Sequence, residues 1–252
     1  MGDEKIIGAR SEIDWVSTQA TRERLTVGNR EVGRKMDGNI ELPGGGHVPA
    51  APGRYHVIPP PDLNVVTDKR FFLEYDFPFL IVREIALDSG SDMEKCDAIG
   101  QAGKWKIKHP SSGDHIGLDH TGYQFNQPSA SGEDAYRLQF IPNLSYVDHS
   151  TWSGLSDQDR KKAYLPCVPA VVVALVTFTE KLDDLQRKVS KLVNCGTREG
   201  VVVDTRGNRV WIYNRGEDPT CEALDTIVFD NWLGFELDCI ALRDARVRAG
   251  FK

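Results

Sequence analysis

No hydrophobic run in this sequence approaches the about 20 consecutive apolar residues that a membrane-spanning helix needs. The first residues, MGDEKIIGAR, lack the apolar core of a secretory signal and the acid-poor, basic character of an organelle transit peptide. We therefore expect no membrane insertion and no targeting signal. The expected location is cytoplasmic or cytoskeletal.

An excess of basic residues is also missing, because 31 Lys and Arg stand against 37 Asp and Glu, for a formal net charge of −6. Proteins that bind nucleic acid usually concentrate Lys and Arg on one face. The densest basic group here is Arg160-Lys161-Lys162, which a solvated turn at a helix end explains. The sequence therefore predicts no nucleic-acid partner.

Cysteine is sparse and has none of the spacings typical of metal or disulfide sites. The five cysteines are odd in number and widely separated, and no CxxC occurs, so we expect free thiols in a reducing compartment. The pairs Asp114-His115 and Asp119-His120 have some likeness to a metal cluster, but loop residues bonded to the backbone explain them better. No metal and no cofactor are predicted.

What the sequence does contain is a strong α/β pattern in its second half. Residues 171–178 form an unbroken apolar, β-branched run, which is typical of a strand covered on both faces. Residues 200–204 predict a second buried strand, and residues 209–213 alternate as its returning partner. Between the first and the second of these strands, the sequence predicts a helix that ends near Gly196. Its single apolar stripe is Leu182, Leu185, Val189, Leu192 and Val193.

The first half is less regular. Glycine and proline dominate residues 41–62, so we predict an extended arm over residues 1–62 that lies along a protein partner, followed by one domain over residues 63–252. Pro78 interrupts the apolar residues 70–87, which predict two short strands or one bent strand. Residues 91–102 predict a short helix, and residues 104–108 alternate like an exposed strand.

Three blocks of sequence carry a resemblance to a known group. They are PNLSYVDHSTWSGL from Pro142, PAVVVALVTFTEKLDDLQRKVSKLVNCGTREGVVVDTRGNRVWIY from Pro169, and WLGFELDCIAL from Trp232. In this order they resemble the restriction-endonuclease branch of the PD-(D/E)XK nuclease superfamily, which is abundant in cyanobacteria. The resemblance covers about residues 122–242. It implies an α/β fold with a restriction-endonuclease-like mixed sheet core and flanking helices.

The resemblance also implies where catalytic residues belong. Members of this superfamily hold Mg²⁺ with Asp and Glu side chains and place a Lys near the attacking water. The matching positions here are Asn143, Ala170 and Ala174 in place of the acids, with Lys188 retained. Residues 170 and 174 have the same parity, so we expect both to face the same side of one strand.

With all three acids replaced, the sequence predicts that the protein is no enzyme but a pseudoenzyme, with no catalytic residues at these positions. The predicted role is that of a structural or interaction subunit in a large multiprotein assembly, which we expect to be cytoskeletal, ciliary or organellar. The alternative is a divergent Mg²⁺-dependent endonuclease whose ligands have moved to Asp119, His120, Asp148 or Asp204.

Overall fold

The computed structural model describes residues 38–43, 46–58, 60–66, 70–84, 89–110, 112–127, 136–177 and 180–251. The chain divides into two compact units, Met1–Glu84 and Ile85–Lys252. The predicted division at residue 62 stays a prediction. Residues 1–37 of the predicted arm and residues 85–88 lie outside the described part of the chain.

The described residues of the first unit form five strands: β1 (Asn39–Glu41), β2 (His47–Pro49), β3 (Gly53–His56), β4 (Phe71–Asp76) and β5 (Phe79–Glu84). β1 and β2 form an antiparallel hairpin, and β5 pairs antiparallel with both β3 and β4. Ile40 and Val48 are fully buried. Residues 39–56 thus hold strands where the sequence predicted an extended arm, because these isolated apolar residues alternate with exposed neighbours and find a buried face. The predicted break at Pro78 is confirmed.

The second unit combines four helices with eleven strands among its described residues. They are α1 (Ser89–Lys108), β6 (His115–Leu118), β7 (Gly122–Gln127), β8 (Tyr136–Phe140), β9 (Leu144–Val147), α2 (His149–Ser153), β10 (Tyr164–Leu165), β11 (Val171–Leu175), α3 (Leu182–Asn194), β12 (Glu199–Asp204), β13 (Arg209–Asn214), β14 (Thr220–Ala223), β15 (Thr226–Val228), β16 (Glu236–Asp238) and α4 (Cys239–Arg248).

The central sheet of this unit has the strand order β14-β13-β12-β11-β9-β6. β11 and β12 run parallel, whereas the other neighbours are antiparallel. β7 pairs antiparallel with β8 and parallel with β10, and β15 forms a hairpin with β16. The predicted mixed α/β fold with a sheet core and flanking helices is confirmed.

β11 is buried on both faces, as the sequence predicted. Val171, Val173 and Leu175 belong to a core with side chains of α1 and α4, while Val172 and Ala174 belong to a second core with side chains of α3. Gly200 on β12 allows α3 to pack closely, because a Cβ there would lie 2.5 Å from Cγ1 of Val189.

α1 is longer than the sequence predicted. It continues to Lys108, so the exposed strand predicted over residues 104–108 is wrong. The strand was predicted because Lys alternates with Trp105 and Ile107. In the helix, Trp105 is 7% exposed and Ile107 is 79% exposed, so the two apolar side chains do not share one buried face. Within the described ranges, no helix has both the length and the apolar character to cross a membrane.

Candidate functional site

The carboxyl ends of the parallel strands β11 and β12 form the edge where ligands bind in many α/β sheets. Asn143 lies at this edge, because β9 runs antiparallel to β11 and pairs Leu144 with Val173. The Asn143 side chain is bonded at both ends of its amide. Its Oδ1 accepts a hydrogen bond from the backbone N–H of Leu175 at 2.7 Å, and its Nδ2 donates to Oδ1 of Asp119 at 3.1 Å.

Asp119 connects Asn143 to helix α1. Its second carboxylate oxygen, Oδ2, lies 3.3 Å from Nζ of Lys95, and both side chains are about one-fifth exposed. We name Lys95, Asp119 and Asn143 the edge group. It joins the ends of β6, β9 and β11 to α1 through two hydrogen bonds and one ion pair.

Glu94, the residue before Lys95, belongs to a second polar group at the same edge. Thr205, just after β12, donates a hydrogen bond from its hydroxyl to Oε1 of Glu94. Nε of Arg246 on α4 lies 3.4 Å from the same oxygen, and Nη2 of Arg246 donates to the carbonyl of Thr205 at 3.5 Å. We name Glu94, Thr205 and Arg246 the buried trio, since each is at most 4% exposed.

Ala174 and Lys188 lie on the α3 side of the sheet. Ala174 is 1% exposed and shares a core with Leu185 and Val189. The Lys188 ammonium lies 5.4 Å from the ring centroid of Phe140, a cation–π arrangement. The retained Lys188 therefore contacts an aromatic ring, and that ring belongs to the same hydrophobic core as Ala174.

Ala170 lies at the opposite end of β11, so the predicted shared face of residues 170 and 174 is wrong. A bend at Ala170 precedes the strand, which begins at Val171, and the alternation does not extend back to it. Ala170 belongs to the core on the α1 side, whereas Ala174 belongs to the core on the α3 side. The two alanines are four positions apart, which corresponds to about 13 Å along an extended chain.

The residues considered as relocated metal ligands do not converge. Asp148 caps α2 by accepting from the N–H of Thr151 at 2.9 Å, and it pairs with Arg198. Asp204 accepts from the backbone N–H groups of Arg206 and Gly207 in the β12–β13 turn. His120 is exposed next to Asp119. Among the residues that the structure describes, no three His, Cys, Asp or Glu side chains are grouped to hold a metal ion.

Two further carboxyls of the second unit are buried, that of Asp114, which the sequence analysis considered and rejected as a metal ligand, and that of Glu199. Burial alone would raise the pKa of Asp114, but hydrogen bonds from Lys106, Ser112 and Tyr146 bring that pKa below its ordinary value. Burial raises the pKa of Glu199, although Asn231 donates two hydrogen bonds to its carboxylate. Both lie toward the amino end of β11, away from Asn143.

The residues at the positions matched to the superfamily do not fit magnesium. Mg²⁺ binds through oxygen ligands in a nearly octahedral arrangement, with carboxylates as its main protein ligands. Ala170 and Ala174 carry no side-chain oxygen, and Oδ1 of Asn143 already accepts the N–H of Leu175. The alanines also lie in different cores, so no common pocket exists between these two positions.

The comparisons with known proteins bear on the fold. No family model matches the sequence, and no curated protein matches it. The structure is similar to the crystal structure of a putative nuclease belonging to DUF820 from Anabaena variabilis ATCC 29413, with a TM-score of 0.53 and 12% sequence identity. The match covers 69% of this chain and 90% of that chain. This likeness confirms the fold that the resemblance implied, a mixed sheet core with flanking helices.

This likeness contradicts the prediction that the protein is no enzyme. That prediction rested on three missing acids, but the fold is shared with a chain described as a nuclease, and no observation of the described residues shows inactivity. The missing acids exclude one arrangement of ligands, which is a narrower statement than the absence of any catalysis.

Proposed function

We propose that this chain is an interaction subunit of a larger protein assembly, with a restriction-endonuclease-like domain as its framework. The proposed activity is the binding of other proteins. A cytoplasmic or cytoskeletal place for the assembly belongs to the same proposal.

The observation that carries this proposal is the environment of Leu233. Its side chain is 81% exposed, although it lies in the short loop between β15 and β16 whose neighbours Trp232 and Phe235 are almost fully buried. These two rings stack with centroids 4.0 Å apart. The carbonyl of Leu233 accepts a hydrogen bond from Nε1 of Trp105 at 3.1 Å.

A single exposed apolar side chain is ordinary on a protein surface. Leu233 differs because buried aromatic rings and a hydrogen bond fix its backbone, so little conformational entropy is lost when a partner covers it. Val228, at the end of β15, adds a second large apolar side chain that is 65% exposed. A partner that covers Leu233 and Val228 would remove apolar surface from water, which is the dominant favourable contribution in most protein–protein association.

The test is to purify the tagged full chain from the cells that make it and to identify what co-purifies. We expect a defined set of proteins with the wild-type chain and their loss with Leu233→Glu. Val65→Glu is the matched control, because Val65 is 58% exposed and lies in the first unit. Purification of the wild-type chain without any stoichiometric partner, or equal loss of partners in both variants, would contradict the proposal.

A second candidate function is favoured by the position of Asp119. Its carboxylate lies 3.1 Å from the Asn143 amide, at the first acid position of the superfamily, and the Lys95 ammonium lies 3.3 Å from it. A carboxylate and a lysine are residue types that nucleases of this fold use. The second candidate is therefore a divergent endonuclease whose reaction depends on Asp119 and Lys95.

Cleavage assays separate this candidate from the first. The full chain is incubated with duplex DNA, single-stranded DNA and RNA in the presence of Mg²⁺ or Mn²⁺. The candidate predicts cleavage that is lost in Asp119→Asn and retained in Asp157→Asn, since the Asp157 side chain is 92% exposed and distant in sequence from the edge group. If no substrate is cut under any condition, or if the two variants behave alike, the second candidate fails.

A further inference from the structure

The outer face of α1 carries a row of apolar and small side chains at intervals of three and four residues. This spacing is that of a heptad seam, and the first, third and fifth members are seven residues apart. We name this row the α1 seam: Met93, Cys96, Gly100, Gly103 and Ile107. On a helical wheel the five positions fall within about 80° of one another.

Every member of the α1 seam is exposed, including Ile107 at 79% and Met93 at 42%. The opposite face of α1 packs into the protein through Ala98, Ala102 and Trp105. α1 is therefore apolar on two opposite faces, and only one of them is covered within the described residues. A helix that is apolar on both sides is typical of an element that packs on both sides.

The two glycines in the middle of the seam have no packing reason within the described chain. A Cβ atom built at Gly100 or Gly103 would meet no other atom within 4 Å. Glycine is unfavourable inside a helix because it leaves the unfolded chain more freedom. Its presence at both central positions is explained if another backbone comes close to α1 there.

The charges beside the seam favour a second copy of this chain in antiparallel orientation. Asp97 and Lys104 flank the same side of the seam at equivalent heptad positions, one in each half of the helix. With a two-fold axis near Gly100, Asp97 of each copy lies level with Lys104 of the other to within one residue, about 1.5 Å. In a parallel pair, Asp97 would instead lie beside Asp92 of the second copy and repel it.

We propose that the chain forms a two-fold homodimer through antiparallel packing of the α1 seam against the α1 seam of a second copy. Met93 of one copy then lies next to Ile107 of the other at both ends, and the glycines meet in the middle. One pair of helices about 30 Å long buries less than a standard interface of about 1,600 Å², so the dimer dissociates reversibly. Self-association stands apart from the larger assembly proposed above.

The first test is sedimentation equilibrium of the purified full chain over concentrations of about 1 to 200 μM, the range in which an interface of this size associates. We expect a monomer–dimer equilibrium that Ile107→Glu weakens by at least about tenfold, because a charge in a closed seam loses its hydration. Leu233→Glu is the control, since Leu233 is equally exposed but lies outside the seam. A monomer at every concentration overturns the proposal, and so does equal weakening by both variants.

The second test addresses the orientation. Asp97→Lys alone and Lys104→Asp alone each place like charges together in an antiparallel dimer and should weaken it, whereas the double variant restores opposite charges and should recover it. Failure of the double variant to recover the dimer, with the helix content of all three unchanged by circular dichroism, overturns the antiparallel arrangement. Because Ile107→Glu and Leu233→Glu affect different surfaces, loss of the dimer and loss of the assembly partner are distinguishable.

Discussion

Asn143 carries a nitrogen, Nδ2, where the aspartate of the superfamily carries a carboxylate oxygen, and this nitrogen makes a hydrogen bond. The Nδ2 group that replaces a carboxylate oxygen donates to Asp119, while Oδ1 accepts from the backbone of Leu175. An aspartate here could keep the second hydrogen bond but would set an oxygen against the oxygen of Asp119. Asparagine therefore satisfies both hydrogen bonds at this position, whereas aspartate would satisfy one.

Asn143→Asp should destabilise the protein by about 1–3 kcal/mol near neutral pH, because it replaces a hydrogen bond with two like charges at close range. Like charges this close favour binding of a proton, so the loss should shrink as the pH falls through the acid range. The measurement is urea unfolding at about pH 7.5 and pH 4.5. Asn143→Ala is the control, since its loss should not depend on pH. A pH-independent loss in Asn143→Asp would contradict the role assigned to Asp119.

Arg246 neutralises a carboxylate that has little access to water. Arg246→Met should cost about 3–5 kcal/mol of unfolding free energy, because it removes the guanidinium group of Arg246 from beside the buried Glu94 carboxylate. The double variant Glu94→Met with Arg246→Met should be more stable than Arg246→Met alone, because both charges are then gone. Guanidinium unfolding measures both. Greater loss in the double variant than in the single one would show that the trio is held by other contacts.

At the scale of single residues, the sequence predicted little of the edge group. Lys95, Asp119 and Asn143 are separated by 24 residues at each step, and nothing in their local patterns connects them. The parity of residues 170 and 174 predicted a shared face, but parity holds only inside a regular strand, and Ala170 lies before its start. The edge group became visible only when β6, β9 and α1 were placed together.

Secondary-structure elements with one clear period were the most predictable. β11 and α3 follow from an unbroken apolar run and a single apolar stripe, and both lie where the sequence predicted them. α1 was predicted too short because its glycines at 100 and 103 are typical of a helix end, and because two apolar faces hide the period of either one. Its full length results from the burial of Ala98, Ala102 and Trp105.

The burial of β11 on both faces gives a prediction at the scale of the element. Ala174→Glu, which restores the superfamily's acid, should destabilise the protein by roughly 3 kcal/mol or more, because the carboxyl would enter the core beside Leu185 and Val189. We expect no robust nuclease activity from it, alone or with Ala170→Asp. Ala223→Glu on the exposed strand β14 is the control and should change stability little. Equal thermal stability of both variants and the wild type would contradict the packing described for α3.

The α1 seam gives a second prediction for an element. Gly100→Ala should raise the unfolding free energy by about 1 kcal/mol, because alanine favours the helix and its methyl group meets no neighbour. The measurement is urea unfolding at protein concentrations well below the dissociation constant of the dimer, where the chain is a monomer. The same methyl group should weaken the dimer, so Gly100→Ala should raise the stability of the monomer and lower the affinity of self-association. A less stable monomer would show that Gly100 is needed for contacts inside the chain.

For the whole molecule, the sequence predicted the class of fold more reliably than the role. Three blocks in the right order were enough for the fold, which depends on packing that many sequences satisfy. The role depends on a few side chains and on partners, and the predicted absence of enzyme activity went beyond what three substitutions establish. The strands β1 and β2 were predicted least well, because their buried residues are isolated among glycine and proline.

We predict that the polar contacts among Asn143, Asp119 and Lys95 close the carboxyl edge of the main sheet and leave no site for a divalent ion there. The measurement is isothermal titration calorimetry of the full chain with Mg²⁺ and Mn²⁺, with Asp119→Asn as the matched variant. We predict no stoichiometric binding of either ion by the wild-type chain and no difference between the two proteins. One-to-one binding that disappears in Asp119→Asn would contradict the claim and make the endonuclease the better proposal.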